Sequence, residues 1–131
     1  MKHADHKKWV LNEFKDDYLK PAFRNTIIHF SFVESIVMYK AGGSFNNFSI
    51  AIKFLLCSSI ISKDEFCLLD KMGNNRNTLV HKIIKNHLDQ DQIDSRIKVL
   101  MTLIKTVYKE VNFIKEYLLN YYSYDTTSIE F

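Results

Sequence analysis

Apolar side chains return every three or four positions along most of the chain. The most regular run is Ile93, Ile97, Leu100, Ile104, Val107, Val111, Ile114, Leu118 and Tyr121, an unbroken alternation of four and three. Such spacing keeps one face of a helix apolar over its whole length, so residues 93–121 are predicted as one long helix packed along its neighbours. Phe23, Ile27, Phe30, Val33 and Val37 mark a second helix over about 22–39, with Glu34 beside its stripe. There Glu34 is either a solvated edge residue or the partner of a buried cation. Residues 5–20 carry Trp9, Val10, Phe14 and Tyr18 on one side and Lys7, Lys8, Asp16 and Asp17 on the other. Residues 45–58 are apolar through Phe48, Ile50, Ala51, Phe54, Leu55 and Leu56. This helix is expected at the centre of the core.

Local punctuation agrees with these periods. Pro21 lacks an amide hydrogen and so kinks a helix or begins one. Ala41-Gly42-Gly43-Ser44 ends a helix, because glycine tolerates the positive φ of a helix C-terminus. Ser62-Lys63-Asp64-Glu65 is a capping box, in which the hydroxyl and the carboxylate satisfy free amides at the start of a further helix. The chain is therefore expected to be all-α, a five-helix up-and-down bundle in one domain over residues 1–121, with 122–131 as a flexible tail. With three Gly and one Pro in 131 residues, it has too little turn chemistry for a many-stranded sheet.

A net charge of +3 permits an anionic partner without demanding one. Cys57 and Cys67, each among apolar residues, read as two free, buried thiols of a reducing compartment. No cysteine–histidine spacing suggests zinc, and neither a metal nor a cofactor is expected. The N-terminal MKHADHKK lacks the apolar core of a signal peptide, and Lys53 interrupts the longest apolar run. The expected location is cytoplasmic, with no membrane contact.

One stretch departs from this scaffold. Lys71 to His87, KMGNNRNTLVHKIIKNH, has no acidic residue, four Lys or Arg and two His, with Asn clustered inside an otherwise apolar helix. At 100° per residue, Arg76 falls near the middle of the apolar face set by Phe66, Leu69, Met72, Gly73, Val80, Ile83 and Ile84. Asp70, Asn74, Asn77, His81 and Lys85 form a separate polar stripe. A charge on an apolar face must be paired or lie at an interface. Three resolutions are open: Gly73-Asn74-Asn75 breaks the helix and shifts its phase, Arg76 faces a shared surface, or Arg76 pairs with Glu34. Asn77 and His81 are four apart and can touch. Guanidinium, amide and imidazole together suit a phosphate, since arginine donates paired hydrogen bonds and histidine moves protons near neutral pH. No side-chain nucleophile accompanies them. RNA supplies its own, the 2′-hydroxyl.

Arg76-Asn77-Thr78-Leu79-Val80-His81 resembles the Arg-polar-x-x-x-His signature of the HEPN superfamily. Residues 42–84, in which an apolar helix leads through Ile61-Ser62-Lys63-Asp64-Glu65 into that signature, are similar to the mannitol operon repressor-like branch of that superfamily. The resemblance implies a HEPN-like bundle, a homodimer and, in many members, metal-independent endoribonuclease activity. It would make His81 a general acid or base, Arg76 the stabiliser of the phosphorane and Asn77 the residue that orients RNA or His81. Lys71, Lys82 and Lys85 would then hold RNA phosphates. Toxin–antitoxin, abortive-infection or other defence systems, with an antitoxin or regulatory protein as partner, are the implied setting. This chain lacks the Tyr two residues after the His that marks HEPN toxins paired with nucleotidyltransferases, since Ile83 stands there. The alternative is the role of the repressor-like branch, a non-catalytic transcriptional regulator or protein-interaction module. An RNA-binding domain that holds phosphates with Lys71, Arg76, Lys82 and Lys85 without cutting is a third.

Overall fold

The structure, a computed structural model, describes residues 21–43, 45–84 and 90–123, the side chains of 21, 22, 82–84 and 90 excepted. These residues form five helices and no strand: α1 (Pro21–Lys40), α2 (Phe48–Cys57), α3 (Lys63–Ile84), α4 (Gln90–Glu110) and α5 (Asn112–Tyr122). The helix expected over 5–20 lies outside the described residues, and of the tail expected over 122–131, Tyr122 ends α5, Ser123 caps it, and residues 124–131 lie outside them. The all-α architecture is as the periodicity predicts, but the five helices are not the same five.

Two local signals act as the sequence implies. Glu65 accepts from the Ser62 amide at 2.9 Å while its own amide donates to Ser62 Oγ at 3.1 Å, so the capping box starts α3. Gly42 and Gly43 take φ of 99° and 72°, where a Cβ would be strained, and turn the chain out of α1. The helix expected from residue 45 begins later, at Phe48. The Asn47 side chain caps it by accepting from the Ser49 and Ile50 amides at 2.8 and 3.3 Å.

The long C-terminal helix is two helices. Val111 leaves the helical region with φ −94° and ψ 97°, ending α4 and preceding α5. The seam nevertheless persists across the break. Ile93, Ile97, Leu100, Ile104, Val107, Val111, Ile114 and Leu118 are all buried, and only Tyr121, 71% exposed, leaves it.

Helices α1 to α4 each pack against their neighbours in sequence, and α4 returns to α1, closing a four-helix circuit. Helix α5 lies against α4 and α1. The most extensive of these interfaces joins α3 to α4. Phe30, Val33, Ile36 and Val37 of α1, Ile52 and Leu55 of α2, and Leu69, Met72 and Leu79 of α3 meet the α4 seam in one core. Helix α2 is less central than its composition implies: Ile52 is fully buried, but Ile50 and Phe54 are 53% and 42% exposed. An apolar helix at the edge of a bundle has more apolar faces than neighbours. Cys57 and Cys67 are free but exposed, not buried, because both point outward from these helices.

Tyr108, fully buried on α4, donates to the His29 carbonyl of α1 at 3.2 Å, and its hydroxyl lies 3.4 Å from His29 Nδ1. Burial holds the His29 imidazole below its ordinary value of 6.5 by disfavouring the charged form. The unfolded chain therefore takes up this proton first as pH falls. Stability contributed by neutral His29 is fully present above the unfolded-state value of about 6.5 and is lost as pH falls from there through the folded-state value. Urea denaturation at about pH 7.5 and about pH 5 should show this acid loss, and His29→Gln should flatten it. An equal acid loss in His29→Gln would assign the effect to other groups.

Candidate functional site

Helix α3 runs unbroken from Lys63 to Ile84, so Gly73-Asn74-Asn75 neither interrupts it nor shifts its phase. Glycine is tolerated there for a packing reason. A Cβ on buried Gly73 would stand 3.0 Å from the Phe48 ring of α2, so a bare backbone lets α2 and α3 approach.

The inward face of α3 is Leu69, Met72, Gly73, Asn75 and Leu79, all buried. Asn75 is the surprise. Its amide donates to the Arg96 carbonyl of α4 at 3.0 Å and accepts from Arg96 Nη1 at 3.3 Å. A buried amide satisfied on both ends is a specific tie between the two most closely packed helices. Sequence reasoning placed Asn75 in a possible helix break and had no signal for a partner 21 residues away.

Arg76 lies at the edge of that face. Its Nη2 is 3.2 Å from Glu34 Oε2 of α1, and its guanidinium carbon sits 4.7 Å from the centroid of the Phe30 ring. Of the three resolutions open in the sequence, pairing with Glu34 is the one observed. The two side chains are 31% and 37% exposed, so the pair itself contributes no more than about 1 kcal/mol. Contact with the Phe30 face adds a comparable amount, roughly 0.5–1 kcal/mol. Arg76 Nε is buried and has no hydrogen-bond partner among the described residues. The guanidinium is thus fixed by one carboxylate and one ring while keeping unused donor capacity.

Beside it opens a polar cleft of about 270 Å³ between the N-terminus of α2, the middle of α3 and Glu34. Arg76 and Asn77 are on its wall, with Asn46, Asn47, Asp70 and Asn74. Asn74 Nδ2 reaches Asp70 Oδ2 at 3.5 Å, a long contact one turn apart on α3.

His81 is not on the cleft wall. It is exposed, one turn beyond Asn77 and about 140° around the helix from Arg76. The three motif residues therefore share a helix, but a single chain brings only Arg76 and Asn77 together. Lys71 is exposed, the Lys82 side chain lies outside the described residues, and so does Lys85 altogether. The structure adds the Asn46-Asn47 pair to the site, which nothing in the sequence singled out, and brings Asp70 and Asn74, part of the polar stripe read with Asn77, onto the same cleft. Among the described residues, no helix is long and apolar enough to cross a membrane.

No family model, curated protein or solved structure matches this chain.

Proposed function

We propose that this protein is a metal-independent endoribonuclease of HEPN type that acts as a homodimer in a toxin–antitoxin, abortive-infection or other defence system. The observation that carries this reading is the placement of Arg76 and Asn77, adjacent in the motif, on the wall of a polar cleft, with His81 exposed on the same continuous helix. His81 takes the proton of an RNA 2′-hydroxyl. The resulting oxygen attacks the adjacent phosphorus, Arg76 stabilises the charge on the phosphorane, and the bond from phosphorus to the 5′-oxygen breaks as that oxygen receives the proton from the His81 imidazolium. The products are a 2′,3′-cyclic phosphate and a free 5′-hydroxyl. Because Arg76 and His81 diverge around the helix, a second copy of the motif across a dimer cleft would complete the site.

A different observation favours a second reading. Arg76 is held by Glu34 and Phe30, which gives it a task in the fold independent of RNA. On this reading the chain is a non-catalytic regulator or protein-interaction module of the mannitol operon repressor-like kind.

Incubating the purified protein with RNA in the presence of chelator, beside Arg76→Ala and His81→Ala, separates the two. Cleavage to cyclic-phosphate ends that both substitutions abolish supports the nuclease. Absence of cleavage across a range of salt, or cleavage retained in both variants, overturns it.

A further inference from the structure

The cleft walls are poorly suited to a bare phosphate. Among the described residues that line the cleft, Arg76 is the one cation, whereas Glu34 and Asp70 are both acidic, so this part of the lining carries more negative charge than positive. Glu34 already faces Arg76 at 3.2 Å. Asp70 spends one oxygen on a long contact with Asn74, and its other oxygen can still accept. A phosphate offers acceptors only and would set them against a carboxylate.

The remaining groups donate and accept in nearly equal measure. Asn47 uses its carbonyl oxygen to cap α2, which leaves its amide NH₂ as a donor. Asn74 uses its NH₂ toward Asp70, which leaves its carbonyl oxygen as an acceptor. Asn46 and Asn77 are exposed at the rim and carry both kinds of group. Phe48 forms an apolar wall, held in place by Phe30 at 5.7 Å between ring centroids and by the bare backbone of Gly73. At about 270 Å³ the space falls slightly below the range of drug-sized ligand sites, which starts near 300 Å³, and suits a single small ring system. A flat, uncharged ring with donors and acceptors around its edge matches this set.

From this, resting on the RNA reading above, we propose that the cleft is a nucleobase pocket, with the base stacked on Phe48 and read by Asp70 and the surrounding asparagines. Its ligand is a base, either of a free nucleoside or of an RNA strand. Asp70 sets the preference. A carboxylate accepts from the exocyclic amino group of adenine, guanine or cytosine, whereas uracil offers on that edge only its ring N3–H, whose two flanking carbonyl oxygens would face the carboxylate. Asparagine amides complement the same edges through paired donor and acceptor contacts. The strand's phosphates then run along the rim of the cleft, past Arg76 on its wall and the exposed Lys71.

Calorimetric titration of the full chain tests this with adenosine, guanosine, cytidine and uridine, their 5′-monophosphates, inorganic phosphate and short oligoribonucleotides of one base each. At least one amino-bearing base should bind about tenfold or more tightly than uridine, the discrimination expected of one good polar base contact. A 5′-phosphate should not tighten binding. Asp70→Asn, nearly isosteric and verified as folded by circular dichroism, should erase the discrimination against uridine, and Asn77→Ala should weaken every base. Preference seen with free nucleosides identifies a nucleoside site. The same preference seen only with oligoribonucleotides identifies the base of a strand; both support the pocket. Binding that follows the phosphate regardless of base, or no binding of any base-containing probe, overturns it. Cleavage assays on the same variants separate this from the nuclease reading. Base-selective binding without cleavage removes the nuclease and leaves the pocket, whereas cleavage with no base preference does the reverse.

Discussion

Replacing Leu79 with alanine should destabilise the protein by about 3 kcal/mol, within the roughly 2–5 kcal/mol found for Leu→Ala in close-packed cores. Leu79 sits in the middle of the Arg76–His81 motif, yet it is fully buried with Leu69 and Met72 on the α3 face that packs against α4. Truncation removes its apolar contacts and leaves a cavity at the most extensive interface of the bundle, where helices tied by Asn75 and Arg96 have little freedom to close in. For a domain of this size the loss should lower Tm by roughly 10 °C. Asn77→Ala and His81→Ala, at exposed positions of the same motif, should stay within about 0.5 kcal/mol of the parent. Thermal and urea denaturation of the three variants would measure this contrast. A Tm for Leu79→Ala within about 2 °C of the parent would mean that the α3–α4 interface repacks freely. The comparison also matters for chemistry: lost activity in Leu79→Ala reports unfolding, and lost activity in His81→Ala does not.

The parts of this fold legible in the sequence are those set by local rules. The Ser62–Glu65 box and the Gly42-Gly43 turn depend on atoms within a few residues, and both are found as read. The seam from Ile93 to Leu118 was also legible, but the break within it was not. Val111 is extended without a Gly or Pro to announce it, and because Val111 is itself buried the apolar spacing passes through the break unchanged. Helix α2 shows the opposite difficulty. Ser49 and Lys53 are the polar residues of this helix, a side too narrow to tell that Ile50 and Phe54, which flank Lys53, are exposed while Ile52 is buried. The site was half legible. Arg76 stood out because a cation on an apolar face needs a partner, and Glu34, 42 residues away, could be weighed from its place beside the α1 stripe. Asn75 could not, because a polar residue among polar neighbours gives no sign of being buried until its distant partner is known.

Removing and freeing the same guanidinium should change RNA chemistry in opposite directions. If the chain is a nuclease, Arg76→Ala should lower cleavage by about 10²–10³, the usual consequence of deleting a donor to a developing negative charge. Its effect on stability should be far smaller, since the pair with Glu34 is a third exposed and worth at most about 1 kcal/mol. Glu34→Gln keeps the shape and a hydrogen-bond acceptor for Arg76 but removes the charge that neutralises it. RNA should then bind about tenfold more tightly at low salt, with the gain shrinking as salt rises, because the cleft no longer has two carboxylates against one cation. Filter binding and cleavage measured across a salt series would read both effects. The sign for Glu34→Gln is decisive. A carboxylate that only competes with RNA for Arg76 gives a gain when neutralised, whereas one that aims Arg76 at the phosphate gives a loss. No change in RNA affinity for either variant would leave the Glu34–Arg76–Phe30 cluster as an element of the fold alone, and would favour the non-catalytic module over the nuclease.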